Sequence, residues 1–501
     1  MAEMAENFRE YSITEFFKKN AQMLGFSGKI RSLTTIVHEY TTNSLDACEE
    51  SGILPDIKIK IEEIGEERYS VRVEDNGPGI PPKLVGKALG QMLTGTKFHR
   101  YMQQRGQQGI GAAGCTMYAL MTTGKPVHVV SGHKGKIIEC DVSVDLKTNK
   151  PVVTNISESE GNFRGLVVRG EFFKVKYDKG QYGAYEYLRR TALANPHAQI
   201  ELTDPEGQVF LFPRSVEQVP QRPKEVLPHP LGVDAHDLLE RAKASESTRI
   251  SSFLQTSFSR VSADKVKELQ ALVPELDFKR NPNTLTWEEA EKIVKAFGQV
   301  RWIAPATDSV IPIGKEQIEK SLKNILNPEI VAVVERPPKV YKGGIPYVVE
   351  AGIAYGGNQK SSIMRFANRA PLVFDASACA ITEVVKNIDW KRYGIKDFEN
   401  EPVTVFVNFS SVYVPYMSSG KQAIASDDEI MAEIKNAVFE VAREVEKHIS
   451  GKIRARERET KKQTFVKYIN QLSSDIAELS GTKKELVEKK LIEIVERKYG
   501  N

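Results

Sequence analysis

The 501-residue sequence has few cysteines and almost no net charge. The four cysteines lie far apart without a CxxC pair, so the sequence predicts neither a disulfide framework nor a zinc site and favours a reducing, cytosolic setting. Lysine and arginine number 70 against 66 acidic residues, a formal net charge of +4, so any basic surface must be local. The chain is 41% hydrophobic and 27% charged, which is typical of a globular protein with about three domains.

The sequence also lacks a long hydrophobic run and two familiar signals. Its longest uncharged stretch, residues 106–124, contains five glycines, three threonines and two glutamines, too polar to span a bilayer. The first 20 residues are acidic and aromatic, unlike a secretory signal peptide. No GxxxxGK[ST] motif is present, which excludes a P-loop ATPase.

Patterning divides the chain into three units and a tail. Residues 1–225 mix helical and strand patterns, and five prolines after residue 212 mark the end of this unit. Residues 226–305 favour helices, whereas residues 306–470 return to strands and end in a long helix that starts near Asp427. Residues 471–501 are predicted to form a helical tail. The fold class is therefore multidomain α+β.

Two features of the second half matter below. The strand-like runs are Ile330 to Glu335, Pro346 to Ala354, Ile363 to Phe374 and Pro402 to Val414. Residues 451–470 of the long helix carry seven lysines or arginines against two glutamates. A solvated helix face is the simpler explanation of that cluster.

The first helix carries a polar stripe. Glu39, Asn43 and Asp46 are spaced four and three residues apart, so they fall within an arc of about 60°. Apolar residues occupy the neighbouring arc, which puts the stripe at the edge of the packed side. Such a stripe suits the lining of a pocket, although a solvated face is the commoner explanation of a polar triplet.

A strand then runs into the turn Val73-Glu74-Asp75-Asn76-Gly77-Pro78-Gly79-Ile80. Asn-Gly between alternating residues also occurs in hairpins, but the residues that follow read as a helix. An aspartate at a strand end, beside glycines that let a ligand approach the backbone, suits recognition of a donor such as an exocyclic amine.

The third element is the glycine-rich segment of residues 105–114, RGQQGIGAAG, which precedes a predicted helix through Met121. GIGAAG matches the dinucleotide pattern GxGxxG, but a polar, basic loop precedes it where that pattern requires a strand. Backbone amides at the start of a helix still form a phosphate cradle in any fold. The segment therefore predicts a nucleotide site that is not on a Rossmann sheet.

In this order and spacing, the three elements resemble the GHKL ATPases, the group of gyrase, Hsp90, MutL and histidine kinases. More narrowly, the sequence is similar to the ATPase subunits of the archaeal type IIB DNA topoisomerases, the topoisomerase VI family. The matching segments are SITEFFKKNAQMLGF, HEYTTNSLDA, VEDNGPGI, TGTKFHRYMQQRGQQGIGAAG, TALANPHAQI and SSGKQAIA. The resemblance implies a Bergerat αβ-sandwich ATPase, a helix-two-turn-helix module and an S5-like transducer with a long C-terminal helix.

The resemblance also implies roles for residues. Glu39 would be the general base, Asn43 a Mg²⁺ ligand and Asp46 a support behind them. Asp75 would accept the adenine amino group, with Gly77 and Gly79 allowing close approach. The residues implied around the phosphates are Thr96, Lys97, Gly106, Gln107, Gln108, Gly109, Ile110, Gly111, Ala112 and Ala113. Lys421, in Met417-Ser418-Ser419-Gly420-Lys421-Gln422, would reach the γ-phosphate from the transducer. At Arg164-Gly165-Leu166 the sequence departs from the Gly-Thr of many members, so no phosphate role is assigned there.

As a member of that family the chain would bind ATP and Mg²⁺, dimerise on ATP binding and act on double-stranded DNA in the cytoplasm, associated with the nucleoid. Residues 13–26 would cross to the other copy. The long helix would pass the motion to the cleavage subunit of topoisomerase VI, which cuts the DNA, and no membrane partner is expected. The alternatives are a GHKL mismatch-repair or chaperone ATPase, against which the helical middle unit argues, and a nucleotide-sensing scaffold, against which Glu39 argues.

Overall fold

The computed structural model describes residues 21–22, 25–92, 101–106, 109–145, 148–418 and 420–499. Within these ranges an α/β unit, a helical unit and a second α/β unit follow one another along the chain. No helix in the described ranges combines the length and apolar character needed to cross a membrane.

In the part of the first unit that the structure describes, an eight-stranded sheet is accompanied by four helices. Its strands are β1 (Asp56–Gly65), β2 (Arg68–Asp75), β3 (Val127–His133), β4 (Lys136–Val144), β5 (Pro151–Glu160), β6 (Gly165–Phe173), β7 (Gln199–Thr203) and β8 (Val209–Phe212). Its helices are α1 (Lys29–Glu50), α2 (Pro82–Gly90), α3 (Gly111–Thr123) and α4 (Ala184–Ala194). The strand order is β5-β4-β3-β6-β2-β1-β7-β8, and among these pairs only β1–β7 is parallel.

One face of this sheet packs on the helices. In β1 the isoleucines Ile57, Ile59 and Ile61 are buried while Lys58 and Lys60 are exposed, the two-residue period of a strand with one covered face. Helix α1 contacts β1, β2, α3 and α4. Helix α1 therefore lies against the sheet at β1 and β2 and beside helices α3 and α4.

The chain leaves β2 for helix α2, and β2 pairs with β1 and β6. The hairpin alternative for residues 73–80 is therefore wrong, and the strand-to-turn-to-helix interpretation is confirmed. Pro82 starts α2, a position at which a missing amide proton costs no hydrogen bond.

The second unit consists of four helices around their own core. They are α5 (Ala235–Ala244), α6 (Ile250–Ser257), α7 (Ala263–Leu272) and α8 (Trp287–Phe297). Buried side chains from Val233 to Val300 form the core. Helix α8 starts with a capping box, in which the Thr286 hydroxyl and the Glu289 carboxylate each accept the other's backbone amide.

The third unit is a mixed sheet between two helices. Its strands are β9 (Ile330–Glu335), β10 (Lys339–Tyr341), β11 (Ile345–Tyr355), β12 (Ser362–Ala367), β13 (Ala370–Pro371) and β14 (Val403–Ser411). Its helices are α9 (Lys315–Leu326), α10 (Ala380–Lys386) and α11 (Asp428–Ser480), and α12 (Lys484–Tyr499) follows. Every residue of β14 is buried, because helices α9 and α11 both pack on this sheet.

The predicted strand Ile363 to Phe374 is interrupted. The chain reverses at Asn368 and Arg369, which have φ values of 48° and 67°, and β13 then pairs antiparallel with β12. Two successive left-handed residues make the tight turn that joins antiparallel strands. Apolar residues lie on both sides of this turn, so the run reads as one strand, although Asn368 and Pro371 are residue types that favour turns.

The long helix begins next to Asp427, as predicted, and runs to Ser480. Helix α11 has 53 residues and is about 80 Å long at 1.5 Å per residue. It runs without a break past residue 470, the predicted start of the tail, and ends before Gly481 at φ 65°. Helix α12 then packs back against it. The predicted boundary between the third unit and its tail, at residue 470, therefore lies inside one continuous helix.

The two α/β units share a small core. Leu193 and Ala194 at the end of α4 are fully buried against Ile318 and Leu322 of α9 and Phe366 of β12. Burial of apolar side chains stabilises such a contact by roughly 25 cal/mol per Å². The first unit is thereby packed directly onto the sheet of the third.

Candidate active site

Asp75 marks one end of the candidate site. It is the last residue of β2 and is 4% exposed. Its Oδ2 accepts the Ser44 hydroxyl at 2.7 Å, and its Oδ1 accepts the amides of Gly77 at 2.9 Å and Leu166 at 3.2 Å. Burial raises the pKa of Asp75, and these hydrogen bonds oppose that shift. A carboxylate offers about four acceptor positions, so one remains for a further donor.

The glycines beside Asp75 are required by the protein itself. Gly79 has φ 68°, and a Cβ there would collide with the carbonyl oxygen of Gly132 on β3. A Cβ at Gly165 would collide with the carbonyl oxygen of Asp75, and one at Gly77 would lie 2.9 Å from the Asp75 carboxylate. The sequence interpretation attributed Gly77 and Gly79 to close approach of a ligand. The described contacts give a further reason for them, since Gly79 packs closely on β3 and β6 and Gly77 packs closely on the Asp75 carboxylate and the Cys48 sulfur.

The segment Arg164-Gly165-Leu166, where the sequence departs from the family, lies beside Asp75. Gly165 and Leu166 begin β6, which pairs with both β2 and β3. The Leu166 amide orients Asp75, so this strand contributes to the end of the site at β2.

Glu39 and Asn43 mark the other end of the site, on α1. The Glu39 side chain is 29% exposed and lies 4.0 Å from the His38 imidazole. Among the described residues no hydrogen bond to the Glu39 carboxylate is formed. A Cβ at Gly111 would collide with Glu39 Oε2, so the carboxylate lies against the first turn of α3. Asn43 is exposed one turn farther along α1.

The glycine-rich segment leads directly into α3. Gly109 has φ 56°, a left-handed conformation that glycine adopts without strain. Helix α3 begins at Gly111, and no described side chain caps its N-terminus. The amides of Gly111, Ala112 and Ala113 therefore have no intrahelical partner, and such amides bind anions. Gly106 and Ile110 flank them, while Thr96, Lys97, Gln107 and Gln108 lie outside the described residues.

Asp46 has a different environment from its neighbours on the stripe. Its carboxylate accepts Arg105 Nη1 at 2.7 Å, and Arg105 also forms a two-bond pair with Glu49 and reaches Asn195. The Arg105 side chain is 6% exposed. Burial alone would raise the pKa of Glu49, but the charge and hydrogen bonds of Arg105 hold that pKa below its usual value.

This buried network continues into the third unit. His197 lies 2.8 Å from Glu49, and the Asn195 amide donates to the carbonyl oxygen of Arg369 at 3.1 Å. Sequence reasoning assigned Asp46 to the site but gave Arg105, Glu49 and Asn195 no role. The arginine that begins the glycine-rich segment, and the TALANPHAQI segment that contains Asn195, were the available signals.

The loop that carries Lys421 lies beside α1. A cavity of about 40 Å³ is lined by His38 and Glu39 on one side and by Gly420 and Gln422 on the other. Burial lowers the pKa of His38; the Glu39 charge opposes that shift and the Lys421 charge adds to it. Sequence neighbours of Lys421 are thus next to Glu39, although 382 residues separate the two positions.

The arrangement has the parts of a nucleotide-hydrolysing site. A buried acceptor lies at one end, free helix amides lie at the other, and an exposed carboxylate borders those amides. Asn43 is exposed and makes no side-chain hydrogen bond to the described residues, so its oxygen is available to Mg²⁺, which keeps several waters and phosphate oxygens as ligands. No group of three or more His, Cys, Asp or Glu side chains arranged to hold a metal occurs among the described residues.

Two family models match the chain. Residues 28–148 match the histidine kinase-, DNA gyrase B- and HSP90-like ATPase family. Residues 305–461 match the transducer of the topoisomerase VI B subunit. The first match contains Glu39, Asn43, Asp75 and the glycine-rich segment, and the second contains Lys421.

Curated relatives match over nearly their whole length. The B subunit of type 2 DNA topoisomerase 6 from Methanothermobacter thermautotrophicus is 48% identical over 93% of this chain and 91% of its own length. The proteins of that name from Thermococcus onnurineus and Pyrococcus furiosus are each 43% identical, covering 100% and 99% of this chain and 98% and 97% of their own.

Proposed function

Because the chain belongs to the family of type 2 DNA topoisomerase 6 B subunits, we propose that it binds ATP between Asp75 and the start of α3 and hydrolyses it with Glu39. It is an ATP-driven subunit of a type IIB DNA topoisomerase, built on a GHKL ATPase fold and a transducer. The observation that carries the proposed site is the Glu39 carboxylate, which lies against the uncapped first turn of α3.

Adenine recognition is assigned to Asp75. The Ser44 hydroxyl and two backbone amides fix its carboxylate, and the remaining acceptor position takes the adenine amino group. Because the donors come from α1, the turn and β6, three elements hold that carboxylate in one orientation. A preorganised acceptor binds without first losing side-chain freedom.

Hydrolysis is assigned to the α1 end. The amides of Gly111 to Ala113 hold the phosphates, together with Thr96, Lys97 and residues 106–110 of the glycine-rich segment. Glu39 orients the attacking water and takes its proton, a role for which a partly exposed carboxylate beside the phosphates is suited. Asn43 would hold Mg²⁺, which supplies positive charge to the phosphate oxygens. Asp46 acts behind them, because its carboxylate fixes Arg105 at the start of the glycine-rich segment.

Lys421 is proposed to contact the γ-phosphate from the third unit. Its loop lines the same small cavity as Glu39, and a cation there stabilises the charge that develops in phosphoryl transfer. ATP would thereby connect the first and third units, and loss of the γ-phosphate would release that connection.

The proposed assembly contains two copies of this chain and two copies of the DNA-cleaving subunit. ATP binding closes the two copies into a gate for duplex DNA, with residues 13–26 crossing between them, and the complex acts on nucleoid DNA in the cytoplasm. We propose an ATPase domain at residues 1–225, a helix-two-turn-helix domain at 226–305, a transducer at 306–470 and a helical tail at 471–501.

The test is phosphate release by the wild type and Glu39→Ala, with and without the cleavage subunit and supercoiled DNA. The wild type should hydrolyse ATP and respond fully only when both the cleavage subunit and DNA are present, whereas Glu39→Ala should bind ATP, dimerise and release no phosphate. Glu62→Ala is the matched control, because Glu62 pairs with Ser70 near the opposite end of β2 from Asp75.

Three outcomes would contradict the proposal. Loss of ATP binding in Glu39→Ala would contradict a role confined to hydrolysis. Hydrolysis that ignores both DNA and the cleavage subunit would separate the ATPase from strand passage. ATP binding without any phosphate release, even with the cleavage subunit and DNA, would indicate a nucleotide-sensing scaffold.

A further inference from the structure

The loop that carries Lys421 is fixed by a buried arginine of the neighbouring strand. Arg365 lies on β12 and is 2% exposed. Its guanidinium donates to three backbone carbonyl oxygens, those of Gln422 at 3.3 Å, Leu372 at 2.7 Å and Phe374 at 2.8 Å. Within the described ranges these carbonyls are its side-chain partners, with no carboxylate among them.

A buried charge requires a structural reason, because removing it from water is costly unless hydrogen bonds replace the lost hydration. The planar guanidinium presents several donors at fixed angles. Arg365 thereby joins two chain segments, residues 372–374 and the loop residue directly after Lys421. A lysine at this position would offer a single nitrogen for all three carbonyls.

Gln422 also joins the loop to residues 373 and 374, with the loop side chain as the acceptor. Its side-chain oxygen accepts the backbone amides of Val373 and Phe374, each at 3.1 Å. The loop is thus held through both its main chain and its side chain. Residues 372–375 form the platform on which the loop rests.

The backbone of Lys421 needs such support. Its φ is 51°, a left-handed conformation that costs a non-glycine residue energy and persists when the surroundings enforce it. The Lys421 amide donates to the carbonyl oxygen of Ser418 at 3.1 Å, and that of Met417 to Ala423 at 2.9 Å. These bonds close the loop, and Arg365 and Gln422 attach it to the platform.

The platform is also attached to the helix that carries Glu39. Arg31 of α1 forms two hydrogen bonds to the Asp375 carboxylate, at 3.2 and 3.3 Å. Its guanidinium also lies 4.6 Å from the centre of the Phe374 ring. Residues 372–375 therefore contact the Lys421 loop on one side and α1 on the other.

We propose that Arg365 and Gln422 are positioning residues that hold the Lys421 backbone beside Glu39, so that the lysine meets the terminal phosphate of ATP. This inference rests on the proposed contact between Lys421 and that phosphate. Neither residue touches the nucleotide; both act through Lys421. They therefore affect the discrimination of ATP from ADP and leave the affinity for ADP unchanged.

The experiment is a double-mutant cycle on nucleotide discrimination. The dissociation constants of ADP and of the β,γ-imido analogue of ATP are measured for the full chain. The readout is the dissociation constant of ADP divided by that of the analogue, which is large when the protein prefers the triphosphate. The variants are Lys421→Ala, Arg365→Met, Gln422→Leu and the two double variants that contain Lys421→Ala. Arg336→Met is the matched control, since Arg336 binds Glu433 and Glu440 of α11 and does not contact the loop.

Lys421→Ala should lower the ratio by on the order of 10-fold, the size of one charge-assisted hydrogen bond. Arg365→Met and Gln422→Leu should lower it in the same direction with unchanged ADP binding, and neither should lower it further once Lys421 is absent. Arg365→Lys should restore part of the ratio. Arg336→Met should leave it at the wild-type value.

The two proposals fail in different ways. If Lys421→Ala leaves the ratio unchanged, the proposed phosphate contact is wrong. If Lys421→Ala lowers the ratio but Gln422→Leu does not, or if Gln422→Leu lowers it equally without Lys421, the positioning role is wrong. Gln422 is only partly buried, so Gln422→Leu decides the question even if Arg365→Met does not fold.

Discussion

The two ends of the candidate site hold their carboxylates differently. Asp75 is 4% exposed and accepts three hydrogen bonds from the protein. The Glu39 side chain is 29% exposed and accepts none from the described residues. Helix α1 positions both carboxylates, since the Ser44 hydroxyl of α1 donates to Asp75 and Glu39 is itself a residue of α1.

This difference agrees with the proposed roles, recognition of adenine for Asp75 and hydrolysis for Glu39. A group that recognises a ligand is most effective when the protein fixes its orientation in advance. A general base must keep acceptor capacity for water and must be able to take a proton. Asp46 and Glu49 resemble Asp75 in this respect, because Arg105 occupies their oxygens. Glu39 is thus the carboxylate of the α1 stripe that the described protein leaves available.

The largest expected effect is on hydrolysis. Glu39→Gln keeps the size of the side chain but cannot take a proton, so the rate of phosphate release at saturating ATP should fall by roughly 10²- to 10⁴-fold. Binding of a non-hydrolysable analogue should change less than about threefold. Rapid-mixing phosphate release and equilibrium titration measure the two quantities.

If Glu39→Gln lost as much affinity for the analogue as it lost rate of phosphate release, the difference between the two carboxylates would be contradicted. Glu39 would then be a binding group like Asp75. Glu62→Gln on β1 should leave both quantities at their wild-type values.

The second effect concerns the engaged carboxylates of α1. Arg105→Met removes the cation that pairs with Asp46 and Glu49 and leaves buried charge without compensation. The free energy of unfolding should fall by about 3–5 kcal/mol, as measured by denaturant titration. Arg31→Met, which breaks a partly exposed pair with Asp375, should cost less than about 1 kcal/mol. Similar losses in the two variants would contradict a special role for the buried network.

Local patterns predicted the site elements, and distant contacts escaped them. The spacing of Glu39, Asn43 and Asp46, and the strand that ends at Asp75, are properties of short segments. The Arg105 network instead joins positions 46, 105, 195 and 369, which only the tertiary fold brings together. Gly79 illustrates an intermediate case: the sequence indicated that a glycine was needed, but its neighbour, the Gly132 carbonyl on β3, follows from strand pairing.

A third, smaller effect is expected at the adenine end. Asp75→Asn replaces a carboxylate that only accepts by an amide that also donates. If its oxygen faces the amides of Gly77 and Leu166, its nitrogen faces the adenine amino group. Loss of one charge-assisted hydrogen bond should weaken ATP binding by about 10- to 100-fold, as measured by titration with the non-hydrolysable analogue. The rate at saturating ATP should fall much less, and a larger loss of rate than of affinity would contradict the division of roles.

The smallest effect is the pH dependence that Asp75 imparts to binding. Burial raises its pKa above its ordinary value of 3.8, and ATP requires the ionised acceptor, so affinity should decline as the pH falls through that raised pKa. Protonation of ATP itself affects the wild type and Asp75→Asn equally, so the difference between their affinities at each pH reports the titration of Asp75.

The contribution of Asp75 to stability should change with pH in the opposite direction to its contribution to ATP affinity. Because burial raises the pKa of Asp75, the folded protein binds the Asp75 proton more tightly than the unfolded chain does. The free energy of unfolding, compared with that of Asp75→Asn, should therefore be greatest below pH 3.8, the ordinary pKa of an aspartate. It should fall as the pH rises through the raised pKa of Asp75 in the folded protein. Acidification should therefore weaken nucleotide binding while it strengthens the fold relative to the variant. Parallel titrations of affinity and unfolding separate the two effects, and a loss of affinity that tracks a loss of stability would refute the assignment to Asp75.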